Sequence, residues 1–149
     1  MNAERIQRIF AVNVTGSFLC AREAVKRMST KYGGKGGSIV NLSSGAAKYG
    51  SPGEYVDYAA SKAAIDTLTI GLAREVAEEG IRVNAVRPGF IDTEIHQSGG
   101  EPDRMERVRP LVPMKRVGQA EEVADAIMWL LSDKASYTTG TILDVSGGR

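Results

Sequence analysis

One cysteine, one histidine and no long apolar run set the first limits on this 149-residue chain. A single cysteine, Cys20, excludes an internal disulfide, and its place in an apolar helical stretch predicts a buried, inert thiol. A single histidine, His96, leaves no His/Cys set for a metal; it falls in a long polar segment, where contact with a substrate is the minor reading. The longest strongly apolar run, Ala126 to Leu131, is too short to span a bilayer. Met1-Asn2-Ala3-Glu4-Arg5 lacks the apolar core of a signal peptide. A reducing, cytoplasmic setting is therefore the expectation. Charge of one sign is missing as well: 19 basic and 18 acidic side chains leave a net charge of +1. Interspersed charges of this kind give no field for nucleic acid or an anionic membrane, so neither is expected as a partner.

Several catalytic and nucleotide-binding patterns are also absent. No Gly-x-Gly-x-x-Gly occurs, and Gly34-Lys35 is followed by Gly36, so the P-loop pattern fails. No lysine has a serine three residues before it, and no Gly-x-Ser-x-Gly elbow exists.

What is present is ordinary for one soluble globular domain over residues 1–149: 42% hydrophobic and 25% charged residues, enough chain to bury a core. Apolar residues from Ala3 to about Lys31 recur at helical spacing, and Asn2 can cap that helix. The glycine-rich run 33–37 ends it. Residues 38–42 read as a buried strand, and 43–54 as a loop. A second helix is expected over 55–79, stopped at Gly80. Residues 81–86 form the next strand, ended by Arg87-Pro88-Gly89 because proline cannot continue a central ladder. Residues 90–118 form a long polar segment, of the kind that is functional or mobile. A helix over 120–131 and a strand over 141–145 close the chain. Alternating helices and short strands predict an α/β fold, a partial Rossmann-like, doubly wound parallel sheet with helices on both faces.

Four groups of residues can carry chemistry. Tyr58 and Lys62 lie four apart on one helical face. A neighbouring ammonium favours phenolate, and such a tyrosine is a competent general acid/base for a carbonyl/alcohol pair. Chance produces this pair often, so alone it is weak. Ser43 and Ser44 follow the first strand, at the sheet edge where open α/β sheets bind ligands. A serine there also serves simply as a turn residue. Pro88-Gly89 followed by Ile91 and Thr93 leaves the second strand at the same edge, with an amide and a hydroxyl able to hold a planar carboxamide. Asn13 interrupts the apolar face of the first helix, where its amide must find a partner, either water or a neighbouring carbonyl.

Together these segments resemble the classical short-chain dehydrogenase/reductase family. The resemblance rests on Asn13-Val14-Thr15-Gly16, on 38–44, on Tyr58-Ala59-Ala60-Ser61-Lys62, on 81–89 with Thr93, on 113–118 and on 144–148. It implies a catalytic set of Asn13, Ser44, Tyr58 and Lys62. Tyr58 would exchange a proton with the substrate oxygen, and Lys62 would bind the nicotinamide ribose. Ser44, rather than Ser43, would hydrogen-bond the substrate carbonyl. Asn13 would hold a water relaying protons from Lys62 to solvent. Pro88, Gly89, Ile91 and Thr93 would grip the nicotinamide of NAD or NADP, and 94–118 would be a mobile substrate loop. A small carbonyl or alcohol substrate and a homodimer or homotetramer follow from the same resemblance. The family's Gly-rich phosphate turn, its selector residue and an Asn-Asn-Ala-Gly stretch are not in this sequence. On that reading, three or four β/α units of the dinucleotide-binding N-terminal half are absent, and the isolated chain is not expected to bind NADH or NADPH saturably. The competing expectation is a non-catalytic fragment that serves as an oligomerisation or scaffold module, since its two long helices resemble the family's dimerisation surface.

Overall fold

The computed structural model describes residues 2–93 and 104–149. His96 and residues 94–103 of the expected substrate loop lie outside the described residues. The chain begins with α1 (Ala3–Phe10), capped by Asn2, whose side-chain oxygen accepts from the Arg5 amide at 2.9 Å. The helix continues through a π-turn, Ala11–Thr15, into α2 (Gly16–Met28). It stops a turn earlier than expected, at Ser29, and Gly33 takes a left-handed φ of 86°.

The strands are β1 (Gly37–Leu42), β2 (Ile81–Pro88) and β5 (Ile142–Val145). They form one parallel sheet in the order β1-β2-β5. Parallel neighbours need helical crossovers. The short α3 (Ala46–Tyr49) and the long α4 (Val56–Val76) make the first; α6 (Ala120–Leu131) makes the second. Central β2 is the most apolar strand because helices cover both its faces, and Val83, Ala85 and Val86 are fully buried. On one face Val83 and Ile81 pack with Ala73 and Val76 of α4 and with Val25 and Met28 of α2. On the other face Val86 packs with Val123 and Leu130 of α6. Fully burying such a side chain contributes about 1.5–3 kcal/mol, so these two layers hold the sheet in place.

Four expectations need correction. Cys20 is exposed, not buried. The inward stripe of α2 is Ala21, Val25 and Met28, spaced by four and three, and Cys20 sits a residue off it with half-exposed Phe18 and Leu19. The expected loop 43–54 contains α3. The segment 90–118 contains β3 (Ile91–Asp92), paired in parallel with β4 (Gly118–Gln119), together with α5 (Arg104–Val108). Pro88 also remains in the ladder, opposite Val145, because a proline carbonyl can still accept: the Gly45 amide donates to it at 2.8 Å.

The amino end of the sheet is closely tied. A Cβ on Gly36 would lie 2.4 Å from the Gly80 carbonyl oxygen, so only glycine permits this approach. Asn84, fully buried, donates to the Thr138 carbonyl at 2.9 Å and accepts from the Thr141 amide at 3.1 Å. Arg82 donates to carbonyls at the end of α6, Leu130 at 2.8 Å and Ser132 at 3.1 Å, where a cation also suits the helix dipole.

Candidate active site

A parallel sheet brings its strand carboxyl ends to one edge, and residues 43–44, 87–89 and 144–146 all leave the sheet there. The first turns of α4 stand beside that edge. Their N-terminal anchor is Asp57, whose side chain is only 5% exposed. Its carboxylate accepts from the Tyr58 amide at 2.9 Å and from the Arg5 guanidinium of α1 at 2.6 Å. The Arg5 guanidinium holds Asp57 below the usual aspartate range. The sequence reading passed over this pair, because residues 52 apart give no local signal.

Tyr58 and Lys62 do share a face: the Lys62 ammonium lies 5.7 Å from the centre of the Tyr58 ring. It is held there by the Leu42 carbonyl at the end of β1, 2.8 Å away. Burial pushes Lys62 below the ordinary lysine pKa, with the Asp66 carboxylate opposing. A buried ammonium on one carbonyl keeps two N–H groups for other partners.

The two serines divide. Ser43 is buried, its amide donating to Val86 at 2.8 Å and its hydroxyl to the Lys62 carbonyl at 3.3 Å. The Ser44 oxygen accepts from the Ala46 amide at 3.2 Å, and its hydroxyl donates to nothing among the described residues. Asn13 sits in the π-turn and donates to Ser61 at 3.0 Å; Ser61 in turn donates to the Tyr58 carbonyl at 2.7 Å. Asn13 thus reaches the Tyr58 turn through Ser61, and no hydrogen bond joins it to Lys62. A π-turn is rare and concentrates at functional positions; periodicity alone did not reveal it.

Gly89 serves the sheet. Its amide donates to Val145 at 2.9 Å, and a Cβ there would lie 2.8 Å from the Ser146 Cα. Close backbone approach here is required by Ser146, just beyond β5. Ile91 lies in β3, and the Thr93 hydroxyl just beyond it makes no hydrogen bond among the described residues. No hydrogen bond links Ile91 or Thr93 to Tyr58 or Lys62 there. A charged network runs under the edge: Asp66 to Arg87 at 2.7 Å, Arg87 to Asp144 at 3.0 Å, and Asp144 to Lys48 at 3.2 Å. Among the described residues, no cluster of His, Cys, Asp and Glu could hold a metal.

Comparison with known proteins identifies this arrangement. A family described as enoyl-(acyl carrier protein) reductase matches residues 1–149. An uncharacterized oxidoreductase of Escherichia coli strain K12 is 68% identical over the whole chain, which covers 60% of that relative. A 3beta-hydroxysteroid dehydrogenase of Eggerthella lenta is 44% identical over 97% of the chain and 55% of the relative. The crystal structure of an acetoin dehydrogenase from Salmonella typhimurium superposes with a TM-score of 0.83 at 38% identity, covering 99% of this chain and 56% of that one. The chain belongs to the short-chain dehydrogenase/reductase family. It spans between half and two thirds of the length of these relatives.

Within this short-chain dehydrogenase/reductase several polar groups at the sheet edge are left open by the protein. The Tyr58 and Thr93 hydroxyls, the Ser44 proton and two Lys62 protons have no partner among the described residues. Half-buried donors left open by the protein are the residues available to hold a ribose, a carboxamide and a carbonyl.

Proposed function

We propose that this chain carries the proton-transfer centre of an NAD- or NADP-dependent oxidoreductase acting on a carbonyl/alcohol pair. The observation that carries this reading is the Lys62 ammonium, fixed on the Leu42 carbonyl beside the Tyr58 ring at the carboxyl edge of the sheet. In the reductive direction the Tyr58 hydroxyl gives its proton to the substrate oxygen, and in the oxidative direction it takes that proton back. Lys62 favours the phenolate that results and donates to the nicotinamide ribose with its remaining N–H groups. Ser44 donates to the same substrate oxygen, which positions it and stabilises its developing charge. Asn13, whose side-chain oxygen accepts nothing among the described residues, holds a water through which Lys62 exchanges protons with solvent. The Pro88-Gly89 turn, the Ile91 amide and the Thr93 hydroxyl hold the carboxamide. When bound, NAD or NADP supplies the two-electron redox partner.

Relatives support a shared step with varied substrates: their names include a 3beta-hydroxysteroid dehydrogenase and a (3R)-3-hydroxyacyl-CoA dehydrogenase. Each name specifies a hydroxyl-bearing carbon, on very different molecules. We also place the protein in the cytoplasm as a homodimer or homotetramer; exposed Val12, Phe18, Leu19 and Val56 on its long helices agree with self-association. The test is carbonyl-dependent oxidation of NADH and NADPH by the native protein and by Tyr58→Phe. A loss of at least about 10²-fold in kcat/KM is expected. Equal turnover of the two proteins would overturn the reading.

A further inference from the structure

Lys62 has a competing partner one turn away on its own helix. Asp66 follows it by four residues, the spacing at which an ion pair forms most readily on a helix surface. Yet the Lys62 ammonium is on the Leu42 carbonyl at 2.8 Å, and Asp66 pairs with Arg87 of β2 at 2.7 Å. Both members of the second pair are well covered, with side chains 13% and 18% exposed. The pair is also incomplete: Asp66 Oδ1 is buried and accepts no hydrogen bond, and Arg87 Nε is buried and donates none. Asp66 therefore keeps acceptor capacity, and its carboxylate already acts electrostatically on Lys62. Arg87 is itself fixed from the far side by Asp144 of β5 at 3.0 Å, and Asp144 by Lys48 of α3 at 3.2 Å. The charged and titratable groups around Lys62 are thus Tyr58 and Asp66 on α4, Arg87 on β2, Asp144 on β5 and Lys48 on α3.

We propose that Arg87 is a positioning residue for the proton-transfer centre: by engaging Asp66, it keeps that carboxylate from capturing Lys62, so the ammonium stays on the Leu42 carbonyl beside Tyr58. A buried carboxylate left without its guanidinium must find another cation, and Lys62 is the nearest flexible one on α4. Capture draws Lys62 one turn along the helix, away from the ring and from the place of the ribose. The centre therefore needs Arg87 even though Arg87 touches neither substrate nor nucleotide. The proposal rests on the role given above to Lys62, but its test has a readout that does not need turnover.

The experiment is a double-mutant cycle of Arg87→Met and Asp66→Asn in the native protein. Lysines are ¹³C-dimethylated, the Lys62 resonance is assigned with Lys62→Arg, and it is titrated without nucleotide. Arg87→Met is expected to raise the Lys62 titration above wild type, because the freed carboxylate holds the ammonium. Once Asp66→Asn has removed the competing carboxylate, adding Arg87→Met no longer raises it. A merely structural role for Arg87 predicts the opposite, a double variant displaced from Asp66→Asn as far as Arg87→Met is from wild type. That result, or an unmoved Lys62 titration in Arg87→Met, overturns the proposal. Should Arg87→Met not fold, Asp66→Asn alone decides: the Lys62 titration must fall, and an unchanged one overturns it. Normal turnover by Tyr58→Phe would refute the proposed function while leaving the Lys62 titrations to stand by themselves.

Discussion

The two ends of one parallel sheet are built by opposite rules. At the amino end, buried polar groups find protein partners. Arg82 serves carbonyls at the end of α6, Asn84 satisfies one carbonyl and one amide of the loop before β5, and buried Ser29 donates to Glu79 at 2.5 Å. At the carboxyl end, the Tyr58 and Thr93 hydroxyls, the Ser44 proton, Asp66 Oδ1 and Arg87 Nε have no protein partner among the described residues. Unsatisfied polar groups are costly when buried. Gathering them at one edge gives up stability for binding capacity, and a fold tolerates that where the rest is well satisfied.

Substitutions at the two ends should therefore separate activity from stability. The largest effect is expected from Lys62→Met at the carboxyl edge, a fall in kcat/KM of roughly 10²–10⁴-fold, read by nucleotide oxidation. Its effect on stability has the other sign. Burial lowers the folded pKa of Lys62, so its charge opposes folding at pH values below that folded pKa. The opposition is relieved as pH rises from the folded value towards the ordinary lysine value of about 10.4. Lys62→Met should thus gain on wild type in urea midpoint at neutral pH, and the gain should shrink as pH rises towards the ordinary lysine value.

Asn84→Ala sharpens the contrast from the amino end. It strands the Thr138 carbonyl and the Thr141 amide and should lower unfolding free energy by roughly 2–4 kcal/mol, measured by urea denaturation. Turnover per folded molecule should hold. Arg82→Met removes the cation at the end of α6 and should cost about 1–2 kcal/mol, with most of the side chain's packing kept. The smallest effect is a pH dependence at the start of α6. Glu122 accepts from the Gln119 amide at 2.8 Å and from Arg116 at 2.6 Å, and its pKa is lowered from 4.5 to about 2, led by Arg116. Its contribution to stability is present above pH 4.5 and lost as pH falls towards 2. The difference in thermal midpoint between wild type and Glu122→Gln should vanish across that window.

How much of this the sequence disclosed follows from the range of each interaction. Asn2 capping α1 and the Tyr58–Lys62 face are set by residues a few positions apart and are in the structure as read, while Gly80 stops a 3-10 turn, Ala77–Glu79, that follows α4. The parallel sheet was legible because helical crossovers between short apolar strands leave little choice. Arg5–Asp57 and Arg87–Asp144 join residues 52 and 57 apart, and no local pattern points to such partners. Asn13 in the π-turn at 11–15 bonds to Ser61, 48 residues away, another partner that no local pattern points to. Cys20 was misplaced for a related reason: Phe18 and Leu19 beside it look like core, but the covered stripe is set by where α4 and the sheet lie. The different settings of Ser43 and Ser44 follow from the strand register, which turns Ser43 towards the Lys62 carbonyl.

The most direct test of the account is one paired measurement on Tyr58→Phe: carbonyl-dependent nucleotide oxidation and the urea midpoint, from the same preparation. Removing a single hydroxyl that has no partner among the described residues should abolish at least 99% of turnover, the low end of general acid/base effects of about 10²–10⁴, and leave the midpoint unchanged. Full turnover, or a midpoint that falls as it does for Asn84→Ala, would contradict the division of this sheet into a satisfied end and a reactive one.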